Sequence, residues 1–188
     1  MIENNNLPYD KNLLIIGGSG KNVGKTTFAL SLISKVSTKI QVIGLKVSTH
    51  KQGEELFHGS HGTMLSNDYR ITTETRKIPR KDTALMLDAG ASSSYYIEVA
   101  GNKVLEAYNE FMTQYNVNGF PVVCESRTLR NHVKPGLFIL LVNKNEIKPD
   151  TNHYMSLADH IHYYDNDITR LHQLTDAITF GPEGWKLK

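Results

Sequence analysis

Apolar runs alternate with helical patterns along most of this chain. Residues 13–16, Leu-Leu-Ile-Ile, carry no charge and predict a strand buried on both faces. Phe28, Ala29, Leu32, Ile33 and Val36 recur at helical spacing and give the next element one apolar face. Further strands are predicted over residues 40–47, 94–99, 120–125 and 137–142, with an outer strand over 158–164. Residues 82–90 predict a short helix capped by Asp82 and closed by Gly90, and residues 104–115 a helix with Leu105, Tyr108, Met112 and Tyr115 on one face. Ile168, Leu171, Leu174 and Ile178 mark a closing helix with Asp165, Asn166 or Asp167 as cap, and Trp185 is expected against the sheet edge. Strands alternating with helices predict an α/β fold of three layers, a mostly parallel sheet flanked by helices. Residues 1–11 are expected to form a flexible tail and residues 12–188 one domain.

The chemistry gathers where the first strand meets the first helix. Gly17-Gly18-Ser19-Gly20-Lys21-Asn22-Val23-Gly24-Lys25-Thr26-Thr27 follows the strand directly and opens the helix. Strand, glycine-rich loop, Gly-Lys-Thr, helix is the order of a phosphate-binding loop, a Walker A element. Phosphate oxygens need converging backbone N–H groups, glycines let the chain curl close, and the helix start adds unpaired amides and its positive dipole end. Gly20, Lys21, Asn22, Val23, Gly24, Lys25, Thr26 and Thr27 are thus expected around the phosphates of a nucleotide. Lys25 would bridge the β- and γ-phosphates, and the Thr26 hydroxyl would hold Mg2+. The spacing departs at one position: Ser19 stands where the usual pattern has its first glycine, between Gly18 and Gly20.

A parallel sheet collects its ligands at the carboxyl ends of its strands. Lys46 and His50, at the end of the second predicted strand, stand near the phosphates if that strand neighbours the first; in isolation Lys46 reads as an exposed strand-end lysine. Residues 120–125 form a short apolar run ending in Glu125, the arrangement of an acid facing Mg2+ opposite the phosphate loop, with an ordinary exposed strand end as the plain alternative. Asp82 is the other candidate acid for the cation. Asn143-Lys144-Asn145-Glu146 follows a buried strand and is similar to the Asn-Lys-x-Asp element that reads guanine, with glutamate for aspartate. His50, His58 and His61 gather without clear metal-site geometry and read as polar loop histidines. Arg70, Arg76, Lys77, Arg80 and Lys81 either close over an anion or form a solvated face, and the same two readings apply to Arg127, Arg130, His132 and Lys134. The apolar Leu85-Met86-Leu87 run suggests a surface that packs against another protein.

Composition narrows the classes. A chain of 188 residues suits one domain with a real core, and a net charge of +2 gives no general reason to expect nucleic acid as a partner. The single cysteine, Cys124, excludes an intramolecular disulfide framework and suits a reducing, cytoplasmic setting. No apolar run approaches the roughly 20 residues of a membrane span, so no membrane partner is expected.

In combination, the phosphate loop, Lys46-x-x-x-His50, Lys81-Asp82-Thr83 with Ala89-Gly90-Ala91, and Cys124-Glu125 resemble the MobB-type molybdopterin-guanine dinucleotide biosynthesis adaptors. The resemblance spans about residues 12–145. It implies a P-loop NTPase fold, GTP as nucleotide, a homodimer, and a slow GTPase that assists the nucleotidyltransferase attaching GMP to molybdopterin. Three positions depart from it: Val47 for a histidine, Ser126 for a glycine, and Leu85-Met86-Leu87 where arginine and histidine are expected. A second resemblance, to dethiobiotin synthetases, implies a small-metabolite kinase or ATP-dependent ligase in which Lys46 stabilises the transferring phosphoryl group and Glu125 serves the metal. A third class is a non-catalytic module whose fold is ordered by nucleotide.

Overall fold

A computed structural model describes residues 7–50, 68–75, 81–145, 147, 149–165 and 167–188. Among these residues the chain forms β1 (Tyr9–Gly18), α1 (Lys25–Ser37), β2 (Ile43–His50), β3 (Tyr69–Thr73), α2 (Asp82–Asp88), β4 (Ser93–Ala100), α3 (Val104–Gln114), β5 (Val122–Glu125), β6 (Lys134–Val142), α4 (Thr151–Leu157), β7 (His160–Tyr163), α5 (Ile168–Ala177), β8 (Ile178–Gly181) and β9 (Gly184–Leu187). A seven-stranded sheet runs in the order β3-β4-β2-β5-β1-β6-β7, and β8 and β9 form a separate antiparallel pair. Only the β3–β4 pairing in the large sheet is antiparallel. The fold is a three-layer α/β arrangement.

Alternation along the strands divides the core in two. Leu13 and Ile15 face a cluster with Tyr108 and Phe111 of α3 and Tyr154 of α4. Leu14 and Ile16 face the opposite cluster, with Phe28, Leu32 and Ile33 of α1, Met86 of α2, Leu171 of α5 and Trp185 of β9. Leu13 to Gly18 are all buried, because β1 lies between β5 and β6 with helices on both faces. The connection from β1 through α1 leads to β2 on one side, and that from β6 through α4 leads to β7 on the other, with the two helices on opposite faces. Such a reversal opens a crevice at the carboxyl ends of the strands beside β1.

Several expectations shift. β1 begins at Tyr9, inside the stretch read as a tail. The second strand starts at Ile43, because the amides of Lys39 and Ile40 bond the Val36 carbonyl and finish α1. In α3 the buried set is Val104, Ala107, Tyr108 and Phe111, while Leu105, Met112 and Tyr115 pack at its rim. Asp167 is the cap of α5, accepting from the Thr169 amide at 2.9 Å. Trp185 sits over β1 rather than at the sheet edge, and its Nε1 donates to the Asn12 carbonyl at 2.7 Å. Met86 is 0 % exposed and packs against Gly44, where a Cβ would lie 2.9 Å from the methionine Sδ. The expected docking surface centred on Met86 is therefore core.

Candidate functional site

The loop from Ser19 to Gly24 joins the buried end of β1 to α1. Its backbone enters the left-handed region at Asn22 (φ 54°) and Gly24 (φ 82°). Gly24 occupies the cap position of α1, and a Cβ there would also crowd the Tyr164 ring at 3.1 Å. Val23 anchors the loop from within, with a fully buried side chain in the α1-side core. Lys21, Asn22 and Thr27 are exposed. The Lys25 ammonium folds back over the loop and donates to the Gly20 carbonyl at 2.9 Å.

Ser19 explains the departure from the usual glycine spacing. It is fully buried, its amide donates to the Leu141 carbonyl at 2.9 Å, and its Oγ accepts from the Asn143 amide at 3.0 Å. The hydroxyl thus ties the phosphate-loop candidate to the turn after β6. Ser19→Gly, which restores the usual spacing, should leave that amide unpaired and cost about 1–3 kcal/mol. Urea unfolding measures this; a variant as stable as the parent would show that the bond carries no weight.

Four charged or polar side chains from four elements meet beside the loop. The register aligns Glu125 of β5 with Ile16 of β1 on one side and Lys46 of β2 on the other. Asp82 opens α2 above them. The Thr26 hydroxyl lies 3.0 Å from Glu125 Oε2 and 3.3 Å from Asp82 Oδ1, and its one proton serves one of these acceptors at a time. Asp82 Oδ2 takes the Lys46 ammonium in an ion pair. Asp82 makes no capping bond: Lys81 holds the cap position of α2, and the carboxylate oxygens serve Lys46 and Thr26 instead.

Burial sets the electrostatics. Glu125 is 7 % exposed, and burial pushes its carboxyl above the ordinary range; the Lys46 charge opposes that rise and the Asp82 charge reinforces it. Burial also works against the Lys46 ammonium, but the hydrogen bond to Asp82 and the charges of Glu125 and Asp82 outweigh it and hold its pKa above the usual value. Two carboxylates and a hydroxyl offer the oxygen donors that a hard divalent cation takes. Among the described residues no group of three His, Cys, Asp or Glu side chains could hold a metal.

The remaining candidates scatter. β2 is separated from β1 by β5, so Lys46 joins the group through Glu125 and Asp82 and not from a strand next to β1. The Asn143 side chain accepts from the Asn145 amide at 2.9 Å, and the exposed Lys144 lies 4.8 Å over the Tyr163 ring. Glu146, His58, His61, Arg76, Lys77 and Arg80 lie outside the described residues. Arg127 pairs in bidentate fashion with Asp150 at 2.9 and 2.8 Å, Arg130 is buried, and Lys134 begins β6 at the far end of the sheet. Lys134 therefore takes no part in a basic loop over the site. The sequence reading missed Ser19 Oγ, Tyr164 beside Gly24, and Tyr96, Glu98 and Arg70 beyond Lys46. For β4, the polar alternation Ser94, Tyr96, Glu98 was the available signal.

No protein-family model, curated protein or solved structure matches this chain. Among the described residues no helix is long and apolar enough to cross a membrane.

Proposed function

We infer that the chain binds a nucleoside triphosphate with Mg2+ and hydrolyses it slowly, as P-loop NTPases do. The observation that carries this reading is the meeting of Thr26, Glu125 and Asp82 beside a left-handed glycine turn that opens a helix. Loop amides and the start of α1 suit phosphate oxygens, and Lys25 has its ammonium at the loop already. Thr26, Glu125 and Asp82 would hold Mg2+, which when bound supplies positive charge against the terminal phosphates. Lys46, kept charged by its neighbours, adds a cation on the same side.

GTP, with ATP as the other choice, is supported by Asn143-Lys144-Asn145-Glu146 after β6. The role as a homodimeric adaptor for a nucleotidyltransferase of molybdopterin-guanine dinucleotide synthesis rests on the MobB resemblance, and a cytoplasmic setting on the buried Cys124 thiol. Two observations favour the second reading, a small-metabolite kinase or ATP-dependent ligase. Lys46 is aligned with Glu125, where it suits a transferring phosphoryl group, and the polar face continues from it across β4.

Glu125→Gln tests the site. It removes a charge next to the cation while keeping side-chain shape, so Mg2+ dependence and hydrolysis should suffer more than nucleotide affinity. pH offers an independent check. The folded-state pKa of Glu125 lies above its ordinary value of 4.5, so between that pH and the raised value the folded chain holds a proton that the unfolded chain has lost. Stability of the cation-free chain should fall as pH rises from 4.5 through the raised value, while Mg2+ affinity climbs over the same interval, and Glu125→Gln should flatten both. A silent Glu125→Gln beside a severe Asp82→Asn would transfer the role to Asp82.

A further inference from the structure

The polar face does not stop at Lys46. On the same side of the sheet the register sets Tyr96 beside Lys46, Glu98 beside Ser48, and Arg70 of β3 beside Glu98. Glu98 is 2 % exposed. Its Oε2 accepts from Arg70 Nη2 at 2.8 Å, whereas its Oε1 is buried with no hydrogen-bond partner among the described residues. Arg70 Nε is likewise buried and unpartnered among the described residues, although the Arg70 side chain as a whole stays 36 % exposed. Buried polar atoms in native chains are nearly always satisfied, so an unused acceptor and an unused donor on one ion pair call for a third group. Burial holds the Tyr96 phenol above its ordinary pKa against a hydrogen bond from Ser48, and the charge of Glu98 and a weaker hydrogen bond to it add to the rise, so the ring beside this pair stays neutral.

We propose that Glu98 and Arg70 form the recognition end of a second-substrate subsite, whose ligand presents an N–H donor and a carbonyl acceptor side by side, as lactams and cyclic imides do. A simple cation would satisfy Glu98 and be repelled by Arg70, and a simple anion would do the reverse. A neutral edge carrying both functions satisfies the two orphaned atoms together. The proposal rests on reading Thr26, Asp82 and Glu125 as the nucleotide end of the site. β2 alone separates β4 from β5, and Glu98 stands two residues further along than Glu125, so the two ends lie about 12 Å apart. A single ring held at Glu98 with a short side arm spans that distance and brings the arm to Lys46.

The test follows the Arg70 Nε–H resonance in the 15N-labelled full chain, assigned by its loss in Arg70→Lys. Uracil and 2-pyridone each carry the required edge, and 1,3-dimethyluracil and N-methyl-2-pyridone lack the donor. The resonance should move with the first pair and not with the second, and Glu98→Gln should weaken the response about tenfold or more. No movement with uracil or 2-pyridone, or equal movement with the methylated analogues, would overturn the subsite and leave a structural ion pair completed by water. Should Glu98→Gln fail to fold, the comparison of free and methylated probes on the unaltered chain still decides. Mg2+–nucleotide titration of the unaltered chain is read separately. If nucleotide fails to bind while the Arg70 signal responds, the nucleotide reading falls and the subsite remains.

Discussion

Lys25→Ala is expected to leave the fold intact and remove most Mg2+–nucleotide affinity. Lys25 is the first residue of α1 and its ammonium lies on the Gly20 carbonyl, whereas the helix is held by Phe28, Ala29, Leu32, Ile33 and Val36 on its buried face. Alanine favours helix at that position. The lost contact is a charge-assisted bond to phosphate, worth about 1.5–3 kcal/mol, or roughly 10- to 150-fold in affinity. Calorimetric titration with Mg2+–GTP and Mg2+–ATP measures it, with circular dichroism as the control for folding. An unchanged affinity in a folded Lys25→Ala chain would end the nucleotide reading, and with it the roles given to Thr26, Glu125 and Asp82.

The elements around Lys25 were legible because several signals agreed there. Four uncharged apolar residues, a glycine run and a helical period follow in sequence, and the five residues read as the apolar face of α1 are the five it buries. Glu125 was legible for a related reason: a strand of four buried residues has its last side chain at the ligand end of a parallel sheet. The second strand was harder. Its start was read at residue 40 because Ile40 and Val42 extend the apolar pattern, whereas its carboxyl half, with Lys46, Ser48 and His50 on the polar face, carries the alternation of a strand. β3 went unread because Tyr-Arg-Ile-Thr-Thr buries little and is shaped by its pairing with β4. α4 was missed because its seven residues bury only Thr151 and Tyr154, too few for a period to show.

The contacts between elements account for the rest. Ser19 looks like a flaw in a motif until Asn143, 124 positions later, places its amide against the hydroxyl. Asp82 looks like a helix cap because acidic residues often are, yet β2, two elements earlier in the chain, brings Lys46 to it. A local pattern ranks what a side chain can do, and tertiary neighbours decide which of those options it takes. Glu98 is the sharper case, since nothing in Tyr-Tyr-Ile-Glu-Val announces that one carboxylate oxygen will be buried without a partner among the described residues.

Met86→Glu is expected to unfold the chain. The side chain is fully buried between α2 and β2, where Gly44 leaves no spare room and Ser94 Oγ lies 3.7 Å from the sulfur. Losing the methionine packing costs roughly 2–5 kcal/mol. A carboxylate in its place must be either desolvated without a cation or protonated, which adds to that cost. Set against a usual domain stability of about 5–15 kcal/mol, the sum removes most or all of the margin. Met86→Leu keeps volume and polarity and should cost less than about 1.5 kcal/mol. Circular dichroism melts of both variants, with light scattering on the same samples, separate the alternatives. A folded, monomeric Met86→Glu chain derived from a dimeric parent would return this helix to the surface and restore the docking face that its three apolar residues suggest in sequence.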